Sequence, residues 1–165
     1  MIEALTRRTI MEAESPKAKV VQPSEGLQYN VMGAMMTYKA TALDTRGAYS
    51  LAIEVTPPHG GLPLHVHHQE DEAMYVLEGE YEIQCGDQAF RATAGTFVFL
   101  PKDIANRYLN LGDEPGKFLY ITSPGGFEKL VEKTSLLTSG DPPDMQKVME
   151  TAAQHGVEFI PSGNG

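Results

Sequence analysis

Hydrophobic and polar residues alternate along this chain in short runs, each cut off by glycine, proline or aspartate. Between Glu80 and Cys85, Tyr81, Ile83 and Cys85 fall on one parity, while Glu80, Glu82 and Gln84 fall on the other. Side chains at i and i+2 of an extended chain share a face, so this pattern predicts a half-buried strand. The preceding run, Ala73 to Leu77, is apolar at both parities and predicts a strand covered on both faces. Glu78-Gly79 between them predicts a turn or bulge, and Gly86-Asp87 a further turn. Thr96 to Leu100 predicts another apolar strand, ended by Pro101. Nearer the N-terminus, Tyr29 to Thr37 and Tyr49 to Val55 read as strands separated by the turn-prone Asp44-Thr45-Arg46-Gly47.

Helical periodicity is confined to the C-terminal part. Gly125-Gly126-Phe127 opens a short predicted helix with Leu130 and Val131 on its apolar face. Further on, Met145, Val148, Met149 and Ala152 stand at i, i+3, i+4 and i+7, with Asp141 as the expected cap, Pro142 at the first helical position and Gly156 at the end. This helix is expected to pack on the barrel or on a partner subunit, without chemistry of its own. Repeated short strands with Gly, Pro and Asp turns, and no long central helix, point to an antiparallel sandwich or barrel.

A length of 165 residues suits one domain with a real core and short appendages. The expected division is an N-terminal arm over 1–25, a barrel over 26–125 and a helical segment over 126–165, with a loose tail from Pro161. A formal charge of −9 argues against a nucleic-acid surface and against binding to anionic lipid. Cys85 is the only cysteine, so no intrachain disulfide can form, and a reducing cytoplasm fits best. No stretch approaches the roughly eighteen apolar residues of a membrane span. Arg7-Arg8 is followed by acidic residues rather than an apolar region, so no export signal is expected.

The candidate chemistry lies in GGLPLHVHHQEDEAMYVLEG, Gly60 to Gly79. His65 and His67 share a strand face, and Glu72 opens the next apolar run, from which a neighbouring strand can carry its carboxylate to the same point. Two neutral nitrogens and one anionic oxygen suit a single divalent ion, iron, manganese, nickel or zinc, with positions left for substrate or water. On spacing alone, the same residues also fit a solvated loop and an ordinary acidic turn. His59, in the break Pro57 to Gly61, reads as a loop residue.

These residues resemble the first motif of the cupin superfamily, G(x)5HxH(x)3,4E(x)6G, met by His65, His67, Glu72 and Gly79, with Gly60 one residue closer than usual. The second motif, G(x)5PxG(x)2H(x)3N, falls on Gly95, Pro101, Asp103, Asn106 and Asn110. Asp103 stands where glycine is usual, and Asn106 where the fourth metal ligand is normally histidine. The segments PLHVHHQEDEAMYVLEGEYEI and GTFVFLPKDIANRYLN, with a C-terminal helix before GVEFI, are similar to small single-domain bacterial cupins described as like quercetin 2,3-dioxygenase.

The resemblance, which runs from about Val31 to Phe127, implies an all-β jelly roll, a double-stranded β-helix with short C-terminal helices. It implies one divalent metal held by His65, His67 and Glu72, with Asn106 as a weak or absent fourth ligand. In such a barrel Met74 and Val76 share the inward parity of Glu72, and Ile104, Tyr108 and Asn110 that of Asn106. Met74, Phe99 and Tyr108 are then expected to give the substrate pocket an apolar wall, although they equally suit plain core filling. The expected function is a metal-dependent small-molecule enzyme, a quercetinase-like dioxygenase with Glu72 also moving a proton. The alternative is a non-catalytic small-molecule-binding barrel whose metal site is weakened by Asn106, and an isomerase is a more distant third. A homodimer paired through the N-terminal strand is expected.

Overall fold

In the sequence from Ser50 to Thr56, burial alternates residue by residue, as a half-covered strand requires, but the inward parity is Ser50, Ala52, Glu54 and Thr56. Leu51, Ile53 and Val55 point outward. The polar parity is turned toward the barrel, which is the first sign that its interior is more than a hydrophobic core. The computed structural model describes residues 18–161. Residues 1–17 of the expected arm, and 162–165 of the expected tail, lie outside the described residues.

The chain forms β1 (Leu27–Val31), β2 (Ala34–Ala40), α1 (Ala42–Thr45), β3 (Ser50–Thr56), β4 (Gly61–His67), β5 (Asp71–Glu78) and β6 (Glu80–Cys85). It continues through β7 (Gln88–Thr93), β8 (Phe97–Leu100), β9 (Asn106–Asn110), β10 (Gly116–Ser123), α2 (Glu128–Thr138), α3 (Met145–Gln154) and β11 (Val157–Phe159). Two antiparallel sheets, ordered β1-β2-β3-β10-β5-β8 and β11-β4-β9-β6-β7, face each other as a double-stranded β-helix. The core between them holds Met74, Val76, Tyr81, Ile83 and Phe118, all essentially inaccessible. Tyr81, Tyr108 and Phe118 meet edge to face with centroids 5.3–6.4 Å apart, a geometry that adds about 0.5–1.5 kcal/mol per pair to simple burial.

Glycine is required at two corners. Gly79 joins β5 to β6 at φ 90°, where a side chain is strained. At Gly61 a Cβ would meet the Tyr108 carbonyl oxygen at 2.1 Å, so only glycine lets β4 lie this close to β9.

Several expectations are corrected. The stretch Tyr29 to Thr37 is not one strand but a hairpin, β1 to β2, turning at Met32 and Gly33 with φ 52° and 91°. The expected turn at Asp44 to Gly47 contains the helical turn α1, ended by Arg46 in the left-handed region. The last helix starts at Met145, capped by Asp144 through the Lys147 N–H rather than by Asp141. Of its apolar stripe, Val148 and Ala152 are buried, while Met145 and Met149 stay exposed. β11, after Gly156, pairs with β4 and was not foreseen.

β5 is not covered on both faces: Tyr75 and Leu77 are exposed. Tyr75 belongs to an outward apolar row in register across four strands, Ile53, Leu119, Tyr75 and Phe97. A second row, Leu51, Ile121, Ala73 and Phe99, runs beside it.

Candidate metal centre

The two histidines and the glutamate reach one place from different sheets. β4 carries His65 and His67 in the five-stranded sheet, the chain turns through His68 to Glu70, and β5 carries Glu72 in the six-stranded sheet. One ligand atom from each of the three lies within 4.8 Å of the other two, and all three side chains are buried. The period-two spacing of His65 and His67 sets both rings on the inner face, 5.0 Å apart and edge to face.

Each ring has its nitrogens assigned by its surroundings. Pro63 has no N–H for the ladder, and the β4–β9 register shifts between Leu62 and His65, which leaves the Pro63 carbonyl to accept from His65 Nδ1 at 2.8 Å. His65 Nε2 is thereby the bare nitrogen. Burial, against the opposing pull of Glu72, holds the His65 imidazole below its ordinary value, so the neutral form that a metal needs prevails at pH 7. His67 turns Nδ1 toward the buried Glu70 carboxylate at 3.5 Å and Nε2 toward Glu72 Oε1 at 3.2 Å. Neither nitrogen makes a hydrogen bond among the described residues. A neutral imidazole has one bare nitrogen, and wherever that nitrogen faces a carboxylate two acceptors meet, which a shared cation would relieve; a divalent ion fits this donor set.

Glu72 is held from both sides. Asn106 Nδ2 donates to its Oε2 at 2.9 Å, and the Tyr120 hydroxyl donates to Oε1. Burial raises the Tyr120 phenol well above its usual range, with the Glu72 charge adding to this, so the hydroxyl keeps its proton for that bond. Asn106 sits opposite His65 on β9, with its amide N–H turned to the Glu72 carboxylate. Position 103 has φ 64°, a left-handed conformation that explains why glycine is usual there.

The cluster opens into a cavity of about 190 Å3, far more than the roughly 10–15 Å3 that one water needs. Met74 and Tyr108 line it. Phe99 does not: it is 55% exposed on the outer face of β8, and its neighbour Leu100 points inward instead. Strand parity sets this correction, since adjacent residues cannot share a face. Ile104 precedes β9 and is also exposed. His59 pairs with Asp113, and His68 with Asp103, both at the surface. The C-terminal elements close the cavity, with Leu130 and Val131 from α2, Val148 from α3 and Phe159 from β11. Phe127 stacks 4.9 Å from His67.

A buried carboxylate of the same cavity, Glu54, escaped the sequence reading. Tyr108 donates to its Oε1 at 2.7 Å and Thr56 at 3.1 Å. Burial, ahead of the opposing hydroxyl bonds and reinforced by the Glu72 charge, pushes its carboxyl up to about 7. A glutamate on the less apolar parity of a strand was the available signal.

Residues 52–122 match the family model described as Cupin domain. Among curated relatives, Polyketide synthase CurC of Streptomyces cyaneus is 29% identical over 82 residues, 48% of this chain and 53% of that protein. Protein SchB of Streptomyces halstedii is 28% identical over 82 residues, 48% of this chain and 59% of that protein. The chain thus spans little more than half the length of these relatives. The solved structure of KdgF from Halomonas sp. superposes with TM-score 0.61 at 15% identity, over 68% of this chain and 99% of that one. A predicted oxalate decarboxylase from Thermotoga maritima gives TM-score 0.59 at 23% identity, over 64% and 99%. The family match and the shared fold support a cupin barrel, and some of these similar proteins bear enzyme names.

Proposed function

We propose that this chain is a metal-dependent enzyme acting on a small organic molecule, with a quercetinase-like dioxygenase as the reaction type. The observation that carries the reading is the burial of His65, His67 and Glu72 around one point at the wall of an apolar cavity. A bound divalent ion would supply Lewis acidity toward an oxygen-bearing substrate and, as iron, manganese or nickel, a redox centre for dioxygen.

The chain's own residues supply the rest. His65 and His67 hold ligand nitrogens; the Pro63 carbonyl orients His65, and Glu70 lies 3.5 Å from His67 Nδ1. Asn106 and Tyr120 orient Glu72, whose carboxylate is placed to accept a substrate proton when one of those bonds yields. Met74 and Tyr108 are the proposed substrate contacts, and Phe127 and Phe159 keep bulk water out. The match to a protein named Polyketide synthase CurC is in keeping with a substrate of that chemistry. The test is oxygen uptake with phenolic and enolic compounds by metal-supplied protein. Uptake that His65→Ala abolishes supports the reading, and none with any compound and any of the four metals refutes the dioxygenase.

The second reading, a non-catalytic small-molecule binder, is favoured by one observation: the Asn106 amide N–H is engaged by Glu72, which leaves the three-ligand set without the usual fourth imidazole. Ligand-induced thermal stabilisation that ignores a chelator would select it.

The division into arm, barrel and helical segment, and the cytoplasmic setting, are proposed on the sequence grounds above. No helix among the described residues is long and apolar enough to cross a membrane. A homodimer is also proposed, through the outward face of the six-stranded sheet rather than the N-terminal strand. Tyr75, Phe97 and Phe99 are 42, 61 and 55% exposed there, and neither apolar row carries a charge. Light scattering should show a dimer that Phe97→Lys dissociates; a wild-type monomer at about micromolar concentration would contradict it.

A further inference from the structure

Glu54 stands apart from the metal centre. β3 and β5 are separated by β10, and in the shared register Glu54 faces Phe118 and then Val76, whereas Glu72 lies in the row of Thr122 and Ser50. At the backbone the two carboxylates are thus four residues along, roughly 13 Å, and two strands across, roughly 10 Å. Glu54 is 4% exposed and lines the same cavity. Its Oε1 accepts from both Tyr108 and Thr56, which fixes the carboxyl, while Oε2 takes no hydrogen bond among the described residues. With one oxygen held by two hydroxyls, the other remains an acceptor facing the cavity, open to water or to a ligand group.

The rest of the wall narrows what that something is. Among the described residues no lysine or arginine lines the cavity, whose charged and titratable side chains there are Glu54, Glu72, His65, His67 and the tyrosines 108 and 120. Much of the remaining lining is carbon and sulfur, from Met36, Met74 and Leu100 among others. An anionic ligand would bring its charge beside two carboxylates with only the metal to offset it. A neutral molecule with a hydroxyl at one end meets an open acceptor instead.

We propose that Glu54, fixed by Tyr108 and Thr56, recognises a hydroxyl group at the end of the ligand remote from the metal, and that the cavity selects uncharged, largely apolar phenols or enols over carboxylates and phosphates. This rests on the reading of the cavity as a small-molecule site. The position of the Glu54 carboxyl near 7 agrees with it, because on Oε2 the ionised form accepts a hydroxyl's hydrogen bond and the neutral form donates one to the same hydroxyl. Glu54 is here a specificity-determining residue, and Tyr108 positions it.

Three probes differ only in the group offered to Glu54: 3-methoxyphenol, 1,3-dimethoxybenzene and 3-methoxybenzoate. Calorimetric titration of wild-type protein should show the phenol binding about tenfold tighter than the diether, the usual worth of one buried hydrogen bond, and the benzoate weakest. In Glu54→Leu the preference for the phenol should fall to about twofold or less while the diether binds as in wild type, which also shows that the cavity is intact. Equal binding of phenol and diether by wild type, a preference that survives Glu54→Leu, tighter binding of the benzoate, or no binding of the phenol at about 1 mM would each overturn the proposal. His65→Ala separates it from the enzyme reading. Loss of metal and turnover with the phenol preference intact supports both, whereas a wild type that takes up no metal yet prefers the phenol refutes the enzyme and leaves the hydroxyl subsite standing.

Discussion

The two faces of the six-stranded sheet invert the usual arrangement. Inside, Ser50, Thr122 and Glu72 make a polar row in register, and Glu54 stands on the same face. Outside, Ile53, Leu119, Tyr75 and Phe97 make an apolar one. In a barrel that served only as a core the apolar parity of β3 would turn inward, since each buried aliphatic side chain contributes about 1.5–3 kcal/mol. Buried carboxylates on the inner face are tolerated because each has partners: an amide and a phenol for Glu72, two hydroxyls for Glu54. The difference teaches that the inner face is not built as a plain core, which agrees with the proposed ligand site inside and the proposed subunit contact outside.

Replacing Glu72 by Gln strikes the inner face hardest. The amide keeps the size of the side chain but removes the one anion of the donor set, so metal affinity should fall at least about 100-fold, read by competition with a fluorescent chelator. Glu54→Gln should leave that affinity within about threefold. Equal losses would erase the distinction between the two carboxylates.

Leu100 and Phe99, adjacent on β8, compare the faces directly. Leu100 is 2% exposed, so Leu100→Ala should cost about 2–5 kcal/mol in urea unfolding. Phe99→Ala should cost less than about 1 kcal/mol per chain at concentrations where the protein is monomeric. A larger loss at Phe99 would mean that its outward setting is wrong.

Glu54 also makes stability depend on pH. Its carboxyl is raised in the fold from 4.5 to about 7, so its stabilising contribution is complete below the unfolded value and is lost as pH rises through about 7. Burial sets this shift, with the Glu72 charge adding to it and the Tyr108 and Thr56 hydroxyls opposing it, and none of these neighbours is cationic. A shift of this size is worth about 3 kcal/mol. Chelator-treated wild type should therefore lose roughly that much between about pH 5 and pH 9 relative to Glu54→Gln. A stability difference that does not change with pH would contradict the buried setting.

Asn106→His should move metal affinity less than Glu72→Gln, and in the opposite direction. An added imidazole opposite His65 should tighten metal about tenfold, and unchanged affinity would mean that position 106 acts only through Glu72.

The centre was legible because its parts are local: a period of two puts His65 and His67 on one face, and a short turn brings Glu72. Glu54 was not, because periodicity tells which residues share a face and leaves open which face turns inward; on β3 the apolar parity points the wrong way. The same ambiguity misplaced Phe99 by one position and covered β5 on both sides. The β1–β2 hairpin was hidden by a largely apolar run whose turn signals, Asn30 and Gly33, are not adjacent; the Gly33 N–H donates to Asn30 Oδ1, and the non-glycine Met32 takes positive φ between them. The late start of α3 reflects Asp144 competing with Asp141, two equally good caps three residues apart, of which Asp144 captures the Lys147 N–H.

The most direct test is elemental analysis of protein purified anaerobically with iron, manganese, nickel or zinc supplied, beside His65→Ala checked for an unchanged circular dichroism spectrum. Close to one equivalent of one metal in the wild type, and less than about one tenth in the variant, is the expected result. Less than about one tenth of an equivalent in the wild type under every metal, or equal loading of both proteins, would contradict the buried centre of His65, His67 and Glu72.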